Sequence, residues 1–375
     1  MLEAAFGALA SPAGALVTAC AFGAAVVVLL VLGGRYAPPN KEDMHWPAFR
    51  ATLPRLDGRT VAITGTTSGT GFVAAQALAE QGATVLLLNR PSPRADASLA
   101  ALRKAAPGGK LQAVACDLMD LASVRAAAVK VAEACPEGLD VLANNAGVMG
   151  LKDDRTVDGF DLQAQTNVLS GFLLTRLLMP ALNKAAARRG EARVVQQSSV
   201  ARVGADLDAK FFAKCPAGKL GGNNGQMLLG GGQFERYHQT KMANLSLTYA
   251  LGDRLAAKGS KVIALCAHPG VSSTNLTATS VEGGGMGGGF ASNFMKFSQS
   301  QRDGSIGLVR AIASPDAANK DFYGPSGGLV GWLSRGQLAF AGPAVELTLD
   351  ARCDSERNKQ TVWRACEDAV GTLQL

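Results

Sequence analysis

Short apolar runs alternate with longer amphipathic stretches over most of this 375-residue chain. The runs have the length of buried strands and lie at 60–64, 84–88, 111–115, 141–143, 194–195 and 262–265. Stretches with helical spacing lie at 71–81, 121–134, 171–187 and 241–258, and a last amphipathic segment ends the chain. Strands that alternate with helices of this length predict an α/β fold, with a parallel sheet covered by helices on both faces.

The N-terminus has a different pattern, because residues 4–34 include no charged side chain. The densest apolar part, 13–34, is long enough to span a bilayer as a helix. A cleaved signal peptide would normally begin with a positive region, and a buried core helix would show a polar face; neither is present. We therefore predict a transmembrane helix within 1–34, which anchors the protein to a membrane.

Basic residues follow the apolar run, so the body is expected to face the cytosol or an equivalent reducing compartment. The predicted organisation is a membrane anchor over 1–34, a linker over 35–55 and one folded domain over 56–375. Trp46, within the linker, has two open interpretations: it lies at the level of the lipid headgroups, or it packs against the domain. Two glycine-rich segments, 217–232 and 283–289, predict loops.

Composition narrows the function classes. Hydrophobic residues make up 47% of the chain and charged residues 18%, which is typical of a globular protein. The net charge is +7, but the basic residues form no stripe interleaved with aromatics, so nucleic acid is not an expected partner. The seven cysteines are odd in number and form no CxxC pair, which predicts neither a disulfide framework nor a metal site.

The stretch TGTTSGTG, residues 64–71, stands between the first predicted strand and the first predicted helix. Its glycines, Gly65, Gly69 and Gly71, permit a tight turn and a close approach of the backbone to a pyrophosphate. The helix that follows would offer free amides to the same anion. A glycine-rich turn in this context predicts a dinucleotide site, and the alternative is a tight turn without a ligand.

The second predicted strand ends in Asn89-Arg90, where an NAD site usually carries an acid that binds the ribose hydroxyls. An arginine at this point suits a 2′-phosphate, so the sequence favours NADP over NAD; the alternative for Arg90 is a solvated loop charge. Asp117 and Leu118, just beyond the third strand, are candidates to line the adenine, although Asp117 could equally be a helix N-cap.

The stretch GQFERYHQTK places Tyr237 four residues before Lys241, hence on the same face of a helix. These residues occur with NNAG at 144–147, Asn167, Ser198-Ser199 and HPG at 268–270, and the set resembles the short-chain dehydrogenase/reductase family over roughly 56–276. Several segments are similar to the retinol-dehydrogenase-like and protochlorophyllide-reductase-like branch of that family. The resemblance implies a Rossmann-type fold, carbonyl or alcohol chemistry with NAD(P), and a homodimer.

The resemblance also implies roles. Tyr237 would be the general acid in ketone reduction, and Lys241 would lower the pKa of Tyr237 and hold the nicotinamide ribose. Ser199 would hydrogen-bond the substrate oxygen, and Asn167 would fix a helix kink and a proton-relay water. His268 is expected to be structural. The implied cofactor-binding set is Gly65, Ser68, Gly69, Thr70, Gly71, Arg90, Asp117, Leu118, Asn144, Ala146, Gly147, Tyr237, Lys241, Pro269, Gly270 and Thr274.

The sequence departs from the family pattern at Thr70, where a branched apolar residue is usual, and at Gln196-Gln197, where apolar strand residues are common. The glycine-rich insert between Ser199 and Tyr237 leaves the substrate open. The predicted function is a membrane-anchored, NADP-dependent oxidoreductase that acts on a lipophilic small molecule. A catalytically silent NADP-binding subunit of a membrane assembly is the alternative, and light-driven pigment reduction is a third.

Overall fold

The computed structural model describes residues 42–221, 232–272, 298–327 and 340–375. Within these ranges, the strands are β1 (Thr60–Thr64), β2 (Thr84–Asn89), β3 (Lys110–Ala115), β4 (Val141–Asn144), β5 (Ala192–Gln197), β6 (Val262–Ala267), β7 (Phe322–Pro325) and β8 (Ala344–Glu346). The helices of the same ranges are α1 (Trp46–Ala51), α2 (Gly69–Glu80), α3 (Pro93–Ala105), α4 (Leu121–Ala134), α5 (Ser170–Arg189), α6 (Gly232–Ala257), α7 (Gln301–Ala313) and α8 (Glu356–Val370).

The described strands form one sheet in the order β3-β2-β1-β4-β5-β6-β7-β8. All neighbours from β3 to β7 run parallel, and only β8 pairs antiparallel with β7. The chain passes from β3 to β4 across the sheet, which creates a switch point between β1 and β4. Ligands of doubly wound sheets bind outside the carboxyl ends of the strands at such a point. The predicted parallel α/β sheet is therefore confirmed.

Alternation along the strands divides the core into two layers. Val194 and Ala264 face the layer that includes α4, α5, α6 and α8. Val195 and Leu265 face the layer that includes α1, α2 and α7. Successive side chains of a strand point to opposite faces of a sheet. Both faces of the sheet are thus covered, which explains why its central strands read as continuous apolar runs.

The folded body begins earlier than residue 56. Helix α1 lies inside the stretch 35–55, and Trp46 is buried in the α2/α7 layer. The Asp303 carboxylate accepts hydrogen bonds from the backbone N–H groups of Met44, His45 and Trp46. Of the two interpretations of Trp46, the structure therefore supports packing against the domain.

The predicted membrane span lies outside the described residues, as do the second glycine-rich segment and Thr274. Among the helices that the structure describes, none is both long and apolar enough to cross a bilayer.

Helix α6 begins at Gly232, nine positions before the predicted start at 241. Most of the first predicted loop, 217–232, lies outside the described residues; from Gly232 on the chain is helical, and Gln233 and Arg236 are buried in the first turns. Tyr237 and Lys241 consequently lie on one continuous helix.

Candidate active site

The turn 64–71 connects β1 to α2, and its two ends lie in close contact. Gly65 has a φ of +72°, and a Cβ at Gly71 would lie 2.3 Å from the Gly65 carbonyl oxygen and 2.4 Å from Asn145 Nδ2. The Asn145 amide donates to the carbonyl oxygens of Thr64 (2.9 Å) and Gly65 (3.2 Å). Thr70 Oγ1 donates to Asn145 Oδ1 over 2.9 Å. The hydroxyl at this departure from the family pattern thus helps to lock the turn.

The start of α2 is suited to an anion. Ser68 is its N-cap, but the Ser68 side chain does not cap the first amides of the helix. Those amides need a partner from elsewhere, and a phosphate supplies one. The exposed guanidinium of Arg94 donates to Ser68 Oγ over 2.6 Å. Because a turn that only glycine fits adjoins an uncapped helix start and a cation, these residues fit a dinucleotide phosphate.

Arg90 is exposed at the end of β2, where the sequence predicted it. Arg94 was not predicted, because its contact with Ser68 joins residues 26 positions apart. Asn145 was also missed, although the second asparagine of NNAG was the available signal. It is this side chain, and not that of Asn144, that contacts the phosphate turn.

The Asn144 side chain points away from the turn 64–71 and toward α5. Its Nδ2 donates to the Gly171 carbonyl oxygen and to Thr175 Oγ1. Asn144 therefore joins β4 to α5, which differs from the predicted role in lining the cofactor. The two residues that follow Asn145 do lie at the site: Ala146 N donates to Thr64 Oγ1 over 3.0 Å, and a Cβ at Gly147 would lie 3.2 Å from Lys241 Nζ.

The N-cap of α4 is Asp120, whose carboxylate accepts from Ala122 N. The alternative of an N-cap role for Asp117 is therefore wrong. The Asp117 carboxylate instead accepts from Met119 N in the preceding turn, and the Leu118 carbonyl oxygen accepts from Ser170 Oγ. Both residues remain partly accessible at the end of β3.

Tyr237, Lys241 and Ser199 converge where β5 ends against α6. The Tyr237 side chain is buried, and the Ser199 side chain lies close enough to lower the pKa of the Tyr237 hydroxyl. Lys241 Nζ lies 5.7 Å from the centre of the Tyr237 ring and donates to the Gln197 carbonyl oxygen over 3.0 Å. Ser198 Oγ instead donates to the Lys241 carbonyl oxygen. The preference for Ser199 over Ser198 as the residue that binds the substrate oxygen stays a prediction.

Burial dominates the titration of this pair. It raises the pKa of Tyr237 to about 12, an effect that the hydrogen bond to Ser199 only partly offsets. It also lowers the pKa of Lys241 to about 8. The expected lowering of the tyrosine pKa by Lys241 is therefore absent from the ligand-free site. The ammonium is directed at a backbone carbonyl, and burial disfavours every charged form here.

Asn167 lies in a π-helical turn, Gln165–Leu169, immediately before α5. Its Oδ1 accepts from Val148 N, and its Nδ2 donates to the Val148 carbonyl oxygen and to Thr240 Oγ1, all within 2.9 Å. One side chain therefore joins the strand-β4 loop to α6 between Tyr237 and Lys241. Such π-turns occur frequently at functional sites.

The segment HPG, residues 268–270, follows β6. His268 is buried, its pKa is held well below the ordinary value by burial, and its Nδ1 accepts from Gly270 N. A structural role for His268, as predicted, agrees with this position. Gly270 has a φ of +62°, and a Cβ there would lie 2.3 Å from the Phe340 carbonyl oxygen. The Pro269 carbonyl oxygen accepts from Ser272 Oγ and Gln299 Nε2.

On the opposite side of Tyr237, Arg236 connects three segments. Its buried guanidinium pairs with the buried Asp161 carboxylate and donates to the carbonyl oxygens of Leu151 (2.8 Å) and Gly221 (3.2 Å). Gln163 adds a further link, because its amide donates to the Gln233 carbonyl oxygen and accepts from Gly150 N. Sequence reasoning did not predict this network, since nothing in the pattern pairs residues 75 positions apart.

Comparison with known proteins identifies the family. The model of the short chain dehydrogenase family matches residues 59–208. The short-chain dehydrogenase/reductase drtF of Aspergillus calidoustus is 32% identical over 286 residues, which is 72% of this chain and 84% of that protein. The chain belongs to the short-chain dehydrogenase/reductase family. The resemblance inferred from the motifs is therefore confirmed.

Two further relatives match this chain over less than two thirds of their own length. Human retinol dehydrogenase 13 is 34% identical over 235 residues, 60% of this chain and 62% of that protein. An uncharacterised oxidoreductase of Schizosaccharomyces pombe is 36% identical, and the chain spans 63% of its length. A crystal structure of an uncharacterised Mycobacterium paratuberculosis protein superposes with a TM-score of 0.63 at 30% identity, over 87% of this chain and 98% of that one.

Proposed function

We propose that this protein is an NADP-dependent oxidoreductase that transfers a hydride between the nicotinamide and a carbonyl or alcohol carbon. The observation that carries the proposal is the convergence of three buried side chains, Tyr237, Ser199 and Lys241, with Lys241 Nζ 5.7 Å from the centre of the Tyr237 ring. This group adjoins a turn that fits a dinucleotide phosphate. A protein that only bound the nucleotide would have no need of a buried phenol beside a serine hydroxyl and a buried lysine.

In the direction of reduction, bound NADPH would supply the hydride to the substrate carbonyl carbon. Tyr237 donates its proton to the carbonyl oxygen, while the Ser199 hydroxyl holds that oxygen by a hydrogen bond. A tyrosine pKa near 12 keeps the phenol protonated at neutral pH, which suits a proton donor. Lys241 holds the ribose and stabilises the phenolate that remains, and Asn167 fixes the adjoining turn and a relay water that returns the proton.

The preference for NADP is supported by two cations and a missing acid. The exposed Arg90 stands at the end of β2 in place of the usual acid, and Arg94 lies against Ser68 at the start of α2. An arginine fork binds a phosphate through two parallel hydrogen bonds, whereas a carboxylate would repel it. We assign the 2′-phosphate of NADP to the space between these two guanidinium groups.

A lipophilic substrate is the part of the proposal that rests on the N-terminus. The uncharged stretch 4–34 has the length and composition of a membrane anchor, which would keep the folded body beside a bilayer. A relative named for retinol is consistent with this class of substrate.

The experiment is NADPH oxidation by the full chain with matched lipophilic and small polar carbonyl compounds, with Tyr237→Phe alongside. We expect turnover of the lipophilic compounds and a loss of at least about a thousandfold in the variant, because the proton donor is removed. NADPH binding by the variant, measured by calorimetry, should persist. Activity that survives Tyr237→Phe would refute the mechanism, and turnover of only the polar compounds would refute the substrate class.

A further inference from the structure

Within the described part of the chain, the Gln197 side chain has a buried amide oxygen without a partner. Only 5% of this residue is exposed, and its Oε1 has no hydrogen bond within the described structure. Most buried polar atoms in native proteins are paired, and one that is not calls for an explanation, such as a ligand that completes the site.

The backbone of Gln197 places its side chain beside the nicotinamide half of the proposed site. Its carbonyl oxygen accepts from Lys241 Nζ (3.0 Å) and from Asn244 Nδ2 (2.9 Å). Lys241 is the residue proposed to hold the nicotinamide ribose. Gln197, two positions before Ser199, thus binds the Lys241 ammonium through its backbone and carries the unpaired amide oxygen on its side chain.

Strand alternation gives the direction of the amide. Gln197 follows Val195 on the face of the sheet that α2 covers, whereas Ser198 points to the other face and bonds to α6. On that face, Gln197 is paired in register with Ala267, which leads directly into Pro269 and Gly270. On the β4 side, the pairing ends at Asn144 and Gln196, so Asn145, which holds the phosphate turn, follows next to Gln197.

The geometry points to Gln197 as a polar contact of the nicotinamide half of the bound dinucleotide. Its Oε1 accepts a hydrogen bond from the carboxamide N–H or a ribose hydroxyl of that half. This assignment rests on the proposed function, since it needs a bound dinucleotide. It adds a cofactor-binding residue that the motifs do not supply, and it gives the departure at this strand position a role.

The test uses Gln197→Met, which keeps the length of the side chain and removes the amide, with Gln196→Met as the matched control on the opposite face. Binding of NADPH and of 2′,5′-ADP, which lacks the nicotinamide half, is measured by calorimetry on the ligand-free full chain. We expect Gln197→Met to weaken NADPH binding about fivefold to tenfold, the effect of one lost hydrogen bond, and to leave 2′,5′-ADP binding unchanged. Gln196→Met should change neither.

A thermal-unfolding measurement separates this role from a structural one. Because the unpaired amide contributes nothing to the ligand-free fold, the melting temperature of Gln197→Met should equal or exceed that of the wild type. Gln197→Asn keeps an amide, but on a side chain too short to reach the nicotinamide half. It should weaken NADPH binding by the same factor, and it replaces Gln197→Met if that variant does not fold. Unaltered NADPH binding in these variants, or an equal loss of 2′,5′-ADP binding, would overturn the assignment. A wild type that binds 2′,5′-ADP but transfers no hydride would instead refute the proposed function.

Discussion

Different interactions hold the two sides of the candidate site: close steric packing on one side and a buried ion pair on the other. On the cofactor side, residues 64–71 and 144–147, the arrangement depends on space: a Cβ at Gly71 would collide with backbone atoms of the same turn. On the substrate side, residues 148–165, 200–221 and the first turn of α6, it depends on charge: Arg236 and Asp161 are buried together and cross-link three segments.

The difference has a consequence for what each side tolerates. A turn defined by excluded volume accepts almost no added side-chain volume at its glycines, and neutral hydrogen bonds from Asn145, not an ion pair, hold it from outside. A loop that is cross-linked by a buried ion pair can change in sequence along its length, provided that both charged residues, here Arg236 and Asp161, are kept. This agrees with the family motifs, which cover the cofactor side closely and do not extend to the glycine-rich insert.

The largest expected effect concerns the substrate side. Arg236→Met leaves the Asp161 carboxylate buried without its cation and should lower the free energy of unfolding by about 3–5 kcal/mol. The double variant Arg236→Met/Asp161→Asn should recover part of that loss. Denaturant unfolding measures both, with the exposed pair Arg55–Asp57 as control, where Arg55→Met should leave the free energy of unfolding almost unchanged. Equal losses of unfolding free energy at the buried pair Arg236–Asp161 and the exposed pair Arg55–Asp57 would contradict the argument that burial makes the first pair important.

The next effect concerns the cofactor side. Gly71→Ala should introduce about 1–3 kcal/mol of strain and weaken NADPH binding at least about tenfold, because the turn must open to admit the Cβ. A Cβ at Gly108 meets no atom within 4 Å, so Gly108→Ala is the matched control and should bind NADPH normally. Calorimetric titration of both variants is the measurement, and normal binding by Gly71→Ala would contradict the argument from space.

Lys241 stands between the two sides and gives a pH-dependent prediction. Burial lowers its pKa from 10.5 to about 8, so between these values the folded protein binds fewer protons than the unfolded chain. The contribution of Lys241 to stability therefore rises with pH across this window. Ligand-free Lys241→Met should be more stable than the wild type by about 1–3 kcal/mol at pH 7, and the gap should close by about pH 10. A gap that does not vary with pH would mean that the lysine is not desolvated.

The smallest expected effect tests the outer edge of the cofactor side. Arg94→Ala should weaken NADPH binding about fivefold to tenfold and leave NADH binding unchanged, because only NADP carries the 2′-phosphate. Arg103→Ala, an exposed arginine near the other end of the same helix, is the control. A similar loss for both dinucleotides would mean that Arg94 supports the turn through Ser68 and does not read the phosphate.

Sequence patterns predicted the features that are local or recurrent. The strands β1 to β6 and the phosphate turn follow from apolar runs and glycine spacing, and Ser199, Tyr237 and Lys241 follow from the motif order. Short β7 and β8 escaped prediction because four and three residues carry too little periodicity. Arg94, Asn145 and Arg236 escaped it for another reason: each acts through a contact with a residue far away in the sequence, and only the folded chain creates that contact.

The carboxylate of Asp303 has a consequence for orientation. It binds three successive amides at 44–46, and it lies in the first turn of α7, next to Gly304, which packs against Ser272 and the Pro269 carbonyl oxygen. The described chain therefore enters the folded body beside the HPG segment. One carboxylate therefore sets where the described part of the chain begins relative to the HPG segment.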